Sequence, residues 1–405
     1  MSSRQPSILT AIDVGSAKTC VLVAEITETG LRYRGHGATD SRGSRKGVIV
    51  DLEKAVASIQ RAVEEAETAS GVVIESALAG VAGSHVRGVN SRGGLLSSHA
   101  REITRDDVRH TVEKARAISL PGDRNVLHIL PQEFILDQQG SIRDPLGMHG
   151  SKLEVQVHLV TAAASATQNV VNALNRAGIH VDDTVFEPLA AAEVTLKSDE
   201  KELGVCLADV GAGSTDLIVF CEGVVAHTAV IPIGGDHFTS DVAVGLRTPL
   251  PDAEKIKRLF GCALMARVPA GNEVEVPAVG DRPSRLLPQR LLAEILEPRA
   301  RELFELLRDN LRHAGVLDIC GAGIVLTGGA ARLPALLEVA EDLLRRPARL
   351  ARPSPIDKMP AALAEPEFST LIGLVLYGHR ARLARGTQNH DFLSRLKSWL
   401  GKDGA

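Results

Sequence analysis

Apolar positions along the chain follow two periods. Residues 8–26 (ILTAIDVGSAKTCVLVAEI) and 204–222 (GVCLADVGAGSTDLIVFCE) each hold an apolar run, an Asp-Val-Gly turn and a second apolar run. Short apolar runs bounded by turn residues predict buried strands, so each stretch reads as a strand-turn-strand unit. The two units align, with Asp13-Val14-Gly15 on Asp209-Val210-Gly211 and Thr19 on Thr215. An echo about half a chain apart predicts two related halves, not a short-period solenoid.

Elsewhere the period becomes helical. Residues 52–69 place Leu52, Val56, Ile59 and Val63 on one face, as an amphipathic helix does. Further helices are predicted at 165–177, 187–197, 289–313 and 333–345. Pro188 and Pro334 fall in first turns, where a missing N–H costs nothing. Strands alternating with helices predict an α/β fold. The stretch 84–160 differs in character and reads as an inserted subdomain. It has a strand run at 95–99, a helix at 104–118, a strand pair around 126–137 and a strand at 153–162. Residues 266–288, with four prolines and Gly271 and Gly280, read as largely loop, because these residues break both periods. Residues 385–391 (RGTQNHD) read as a polar linker.

Composition narrows the function. The 405 residues carry 46 basic and 50 acidic side chains, a net charge of −4, and only 3% aromatics. Such a chain lacks both the basic surface and the stacking faces that nucleic-acid binders use, so no nucleic-acid partner is expected. Cys20, Cys206, Cys221, Cys262 and Cys320 show no paired spacing, and the expectation is reduced thiols in a reducing compartment. No signal-peptide pattern opens the chain and no apolar stretch reaches the ~20 residues of a membrane span. A cytoplasmic protein is expected, unless something holds it to a membrane surface.

The candidate chemistry lies in three glycine turns, 13–19, 209–216 and 327–332 (TGGAAR), each after an apolar strand. Small turn residues let backbone N–H groups approach phosphate oxygens. Asp13 and Asp209 end their strands, where a carboxylate pair can hold a hydrated Mg²⁺ against a polyphosphate. Lys18 can point an ammonium at the same phosphate. Gly328-Gly329 leads towards the helix predicted from Leu333, whose free N–H groups would face a ligand. One such turn alone is as well read as a hairpin. Three together, two of them duplicates, predict nucleotide binding.

The order of these turns resembles the actin, Hsp70 and sugar-kinase superfamily, where they form the two phosphate motifs and the adenosine motif. The stretches VLHILPQEFILD (126–137), IRDPLGMHG (142–150), HTAVIPIGGDHFTSDVA (227–243), LAEILEPRARELF (292–304) and GIVLTGGAA (323–331) resemble the FtsA family of bacterial actin-like cell-division proteins, essentially end to end. The resemblance implies an actin-like ATPase fold with two duplicated lobes around a nucleotide cleft, an inserted subdomain and a C-terminal amphipathic helix. The implied division is subdomain 1A at 1–83, 162–198 and 355–384, and 1C at 84–161. Subdomain 2A would be 199–235 and 320–354, and 2B 236–319, followed by a linker at 385–391 and a helix at 392–405.

By the same resemblance, Gly15, Ser16 and Lys18 cradle phosphate. Asp209, Gly211, Gly213 and Thr215 form the second loop, with Asp209 near Mg²⁺. Glu254 and Lys257 meet the adenosine, and Gly328, Gly329 and Ala330 cover the nucleotide. Read alone, Glu254 and Lys257 are a solvated helix face. Glu187 falls where the superfamily orients the attacking water. It is also an ordinary first-turn carboxylate favoured by the helix dipole. The resemblance implies ATP with Mg²⁺, at most slow hydrolysis, and partners that include the C-terminal peptide of FtsZ. Arg299 and Arg290 would meet that peptide, Arg285 would tune self-association into a polymer, and 84–161 would receive downstream division proteins.

In the tail, Phe392, Leu393, Leu396, Trp399 and Leu400 fall within an arc of roughly 120° at about 100° per residue. Arg395 and Lys397 flank that stripe, placed to reach lipid phosphates. The pattern reads as a membrane anchor, or else as a helix docked on the body; the resemblance implies an anchor on the cytoplasmic face of the bacterial inner membrane at the division site. The alternative functions are a pilus-assembly actin-like module and a small-molecule kinase of the same superfamily.

Overall fold

The computed structural model describes residues 7–280 and 282–386. The amphipathic tail at 392–405, with Phe392, Leu393, Arg395, Leu396, Lys397, Trp399 and Leu400, lies outside the described residues, as do linker residues 387–391.

Two five-stranded sheets share one topology. In the first, Gly30–Asp40, Lys18–Thr27, Ser7–Val14, Ser76–Val81 and His180–Phe186 lie side by side in that order. In the second the order is Val224–Ile231, Thr215–Cys221, Val205–Val210, Gly323–Thr327 and Ala348–Leu350. Each begins as an antiparallel meander and continues with two parallel strands. The sequence echo is therefore a duplication of architecture. Residues 19–24 are buried without a break because both faces of that strand are covered, which is why the run is apolar and not alternating.

The helix Leu52–Ser70 buries Val56, Ile59 and Val63, starts on the Asp51 cap and ends at Gly71 with φ 69°. That left-handed conformation suits glycine, which lacks a Cβ. Helix Gln289–His313 matches its predicted bounds, with Pro298 inside it. Two helices join the lobes. Ala190 of Glu187–Thr195 packs with Leu371 and Ile372 of Ser369–Gly386 against the first sheet. Leu189 and Ala192 pack with Leu207 and Val325 of the second. The two helix backbones nearly touch, since a Cβ on Gly373 would stand 2.0 Å from Ala190 O.

The insertion after Ser76–Val81 forms its own four-stranded sheet, ordered Arg87–Glu102, His149–Ala163, Arg124–Leu136, Gln139–Ile142. Helix Arg105–Arg116 packs on it. The short run expected at 95–99 is the middle of a 16-residue strand, whose polar, glycine-rich first half hid it. The strand pair around 126–137 is one strand, Arg124–Leu136. Its register shifts between Glu133 and Pro131, so the proline sits at a bulge as strand prolines must.

Other boundaries moved too. The helix expected from 333 begins at Leu336, because Ala335 is left-handed at φ 64°. The helix expected at 187–197 ends at Thr195. Residues 266–288 are not all loop: Glu273–Val276 pairs with Arg285–Pro288. Helix Ser369–Gly386 runs through the first two positions of the expected linker. Cys20, Cys206, Cys262 and Cys320 are buried free thiols, and Cys221 is a partly buried one. Among the described residues, no helix is long and apolar enough to cross a membrane.

Candidate functional site

The duplicated hairpins bring their turns together. Asp13 pairs with Cys20 across the first hairpin and Asp209 with Asp216 across the second. Ser16 Oγ accepts the N–H of Gly47 at 3.1 Å. A Cβ on Gly213 would stand 2.7 Å from both Ser16 Oγ and Lys46 Cα. The first two turns thus meet at Ser16 and Gly213, with the 46–47 backbone between them. At Gly15 a Cβ would stand 2.9 Å from Lys18 O. The Gly211 N–H donates to Ser214 O at 3.0 Å, closing the second turn. Thr215 is fully buried and its hydroxyl donates to Ile233 O at 2.8 Å, so it shapes this turn from behind.

The third turn closes on the second. Gly328 has φ 87°, and a Cβ there would stand 2.3 Å from Asp209 Oδ1. Gly329 has more room, its nearest neighbour being Glu367 Cβ at 3.6 Å. A short 3-10 turn, Gly329–Arg332, follows instead of the expected helix start. The N–H groups of a long helix therefore do not begin at Leu333. Ala330 lies across from Gly235, whose Cβ would stand 3.2 Å from Ala330 Cβ and 3.5 Å from Lys257 Nζ. Lys257 Nζ donates to Gly235 O at 3.0 Å and Thr239 Oγ1 at 2.8 Å, and pairs with Glu254 at 2.6 Å. Thr239 donates to the Glu254 carboxylate. With its side chain only 11% exposed, Lys257 is not on a solvated face.

The acids gather where the turns meet. Burial raises Asp209 to about 7, with Asp216 and Asp13 adding to the rise and the Thr370 hydroxyl and Lys18 opposing it. Burial raises Asp13 to about 6 against the pull of Lys18. Burial raises Asp216 to about 6, opposed by hydrogen bonds from the Gly83 N–H and the Ser214 hydroxyl. Glu187 is pushed well above its ordinary value by burial and then by Asp13, Asp216 and Asp209. That places Glu187 in the acid cluster, beyond the role of a plain first-turn carboxylate. Gly80 makes room for it, since a Cβ there would stand 2.9 Å from Glu187 Oε1.

This cluster suits a hard cation. Asp13 Oδ1 is buried with no hydrogen-bond partner, and the carboxylates of Asp209 and Glu187 are close, with the Lys18 ammonium beside them. Among the described residues, no three His, Cys, Asp or Glu side chains could hold a metal by themselves. Mg²⁺ makes no such demand, because it keeps several waters and takes its other ligands from phosphates. Asp13 and Asp209 would then hold it, and it would neutralise phosphate charge.

Asp216, Phe368 and Thr370 were given no role in the sequence. Asp216 was findable: it pairs directly with Asp209 across the hairpin, and such partners share one face. Thr370 donates to Asp209 Oδ2 at 3.1 Å from a segment 161 residues away, which no spacing reveals. The structure does not bring Arg299 and Arg290 together. They lie about two and a half turns apart on one helix, hence on opposite faces. Arg299 grips Asp241 with both Nε (2.6 Å) and Nη2 (3.0 Å) and also pairs with Glu302. Arg290 donates to Val268 O at 3.3 Å and Arg285 to Leu246 O.

The family model "Cell division protein FtsA" matches residues 206–373, and "SHS2 domain inserted in FTSA" matches 83–161. The Cell division protein FtsA of Pseudomonas aeruginosa is 44% identical over 93% of this chain and 90% of its own length. That of Escherichia coli (strain K12) is 37% identical over 98% of each. Among solved structures, the PilM-PilN type IV pilus biogenesis complex aligns with a TM-score of 0.67 at 17% identity, over 92% of this chain and 98% of that one. MreB5 of Spiroplasma citri bound to ADP aligns with a TM-score of 0.57 at 14% identity, over 94% and 98%. At such identities these two report the fold, which is actin-like. With its duplicated sheets, its inserted subdomain and its full-length relatives, the chain belongs to the FtsA family of cell division proteins.

Proposed function

We propose that this FtsA family member binds Mg²⁺-ATP between its three glycine turns. In that state it polymerises and tethers FtsZ filaments to the cytoplasmic face of the inner membrane, helping the septal ring assemble. One observation carries the nucleotide reading: the buried carboxylates of Asp13 and Asp209 feel each other's charge where glycine turns pack together, with Asp13 Oδ1 unpartnered. Two hard anionic ligands beside glycine turns, whose N–H groups a phosphate can approach, suit a metal-bound polyphosphate. Glu254, Lys257 and Ala330 would line the adenosine side. Glu187 would orient water for a hydrolysis that is slow at most.

The test is a titration with a fluorescent ATP analogue, with and without Mg²⁺. Asp209→Ala and Gly329→Asp should lose binding in a folded protein. Unchanged affinity in folded Gly329→Asp would remove the third turn from the site.

The adaptor role rests on family membership and on the tail. The chain would divide into the four subdomains expected above, with downstream division proteins on 84–161 and Arg285 at a self-association contact. The tail residues Phe392, Leu393, Arg395, Leu396, Lys397, Trp399 and Leu400 would lie in the lipid interface. Removing 392–405 should leave a nucleotide-binding protein that no longer pellets with vesicles. The FtsZ peptide would dock on 236–319. Because the two arginines face opposite ways, they should be tested apart. Arg299→Glu would also set a third acid beside Asp241 and Glu302, so Arg290→Glu is the cleaner probe. The pilus-assembly and kinase readings have only the shared fold in their favour.

A further inference from the structure

One short segment touches all three glycine turns. Residues 365–370 (EPEFST) lead into helix Ser369–Gly386. Pro366 O accepts the Gly328 N–H at 3.2 Å, Glu367 holds Arg332 at 2.9 Å, and Ser369 Oγ meets Thr327 Oγ1 at 2.7 Å. Thr370 donates to Asp209 of the second turn at 3.1 Å. Phe368 reaches the first turn, with Lys18 Nζ standing 3.4 Å from the centre of its ring.

We propose that Phe368 is a positioning residue for Lys18: its ring holds the ammonium ready for a phosphate and out of ion pairs with Asp13 and Asp209. The inference rests on the nucleotide-binding reading of this site. Both carboxylates are close enough to Lys18 for their charges to be felt. Yet among the described residues Lys18 forms no ion pair, and the contact it makes is with the ring. A lysine stem is long and flexible, and left free it would close on the nearest carboxylate. Such a pair would occupy oxygens that a metal needs and N–H groups that a phosphate needs. An aromatic face attracts the ammonium through its quadrupole without taking up those N–H groups as a carboxylate would. The ring packs on the apolar cluster of the first sheet, and the Phe368 backbone N–H donates to Glu365 O at 3.0 Å.

The test is a double-mutant cycle on the full chain, read by the dissociation constant of a fluorescent ATP analogue with Mg²⁺. Phe368→Leu should weaken binding by about tenfold, and Phe368→Tyr, which keeps the ring face, should stay within about twofold of wild type. Lys18→Gln should weaken binding by itself, and adding Phe368→Leu to it should change nothing further. An equal loss in both backgrounds would make Phe368 merely structural and overturn the inference. A second readout needs no variant at position 368. In carbon-edited NMR spectra of wild type, the Lys18 ε-methylene signal, assigned by its disappearance in Lys18→Gln, should be shifted upfield by the ring. An unshifted signal overturns the inference even if Phe368→Leu fails to fold. If wild type binds no nucleotide, the reading of the site falls and this inference with it. If wild type and Phe368→Leu bind alike, this inference alone falls.

Discussion

Asp209 at about 7 and Asp13 at about 6 make the cleft sensitive to pH near neutrality. Their folded values lie above the ordinary carboxylate range, so between about pH 4 and 7 these two groups hold more protons in the native protein than in the unfolded chain. These groups therefore cost stability as pH rises through 6 to 7. A metal needs them ionised, so Mg²⁺-nucleotide affinity should move the other way. Titrations at pH 6, 7 and 8 should show binding tightening with pH, by up to about tenfold per unit for each proton released. A flat profile would detach both acids from the metal. At Glu187, the isosteric Glu187→Gln should leave ATP binding intact, slow hydrolysis by roughly a hundredfold and leave the melting temperature unchanged or higher, because a neutral amide replaces an acid whose ionisation burial and the neighbouring carboxylates disfavour. Phosphate release assays beside thermal melts would read both effects. The neighbouring glycines should differ sharply. Gly328→Ala forces a Cβ onto Asp209 at a positive φ, costing on the order of 1–3 kcal/mol and nucleotide binding with it. Gly329→Ala should be tolerated.

Among the elements, the insertion carries its own acid weakness. His158 is buried and held near 3 by burial and then by His227. Its ring nitrogens meet Asn90 Oδ1 at 2.6 Å and Thr228 Oγ1 at 2.9 Å. The folded value lies below the ordinary histidine value of about 6.5, so below that pH the unfolded chain binds the extra proton. Stability is lost as pH falls from about 6.5 towards 3. Arg101 holds Asp107 far below the ordinary range, which adds a second loss at lower pH. The cleft acids change in the opposite sense over the upper part of this window. On acidification, hydrogen exchange should rise first in Arg87–Glu102 and His149–Ala163, and Val205–Val210 should stay protected. Helices were legible where an apolar stripe is written locally, as at Leu52–Ser70 and Gln289–His313. Helix Ser369–Gly386 was not, because its buried face packs on the first sheet and on another helix and shows no clean stripe.

At the scale of the molecule, the insertion is tied to the hairpin that starts in the cleft. Gly83 opens it and donates to Asp216 at 3.1 Å. Farther along, His158 and Gln132 reach Thr228 and Val225 O on the neighbouring strand. Thr228→Val should remove the His158 contact and lower the melting temperature by a few degrees, with exchange rising mainly in the insertion. A uniform rise would mean that the three sheets unfold as one.

The sequence alone determined the duplication, the α/β class, the inserted segment and the three glycine turns. Each of these is written in residues that are neighbours along the chain, where period, turn residues and small side chains act locally. Which groups share the site was decided only in three dimensions. Asp216 faces Asp209 through strand register, Glu187 arrives on a helix from another part of the chain, and Thr370 and Phe368 reach the turns from the far end. The separation of Arg290 from Arg299, by contrast, already follows from the helix predicted at 289–313. Contacts of this kind depend on how sheets and helices pack. Packing is set by the sum of many buried surfaces, which no short stretch of sequence carries.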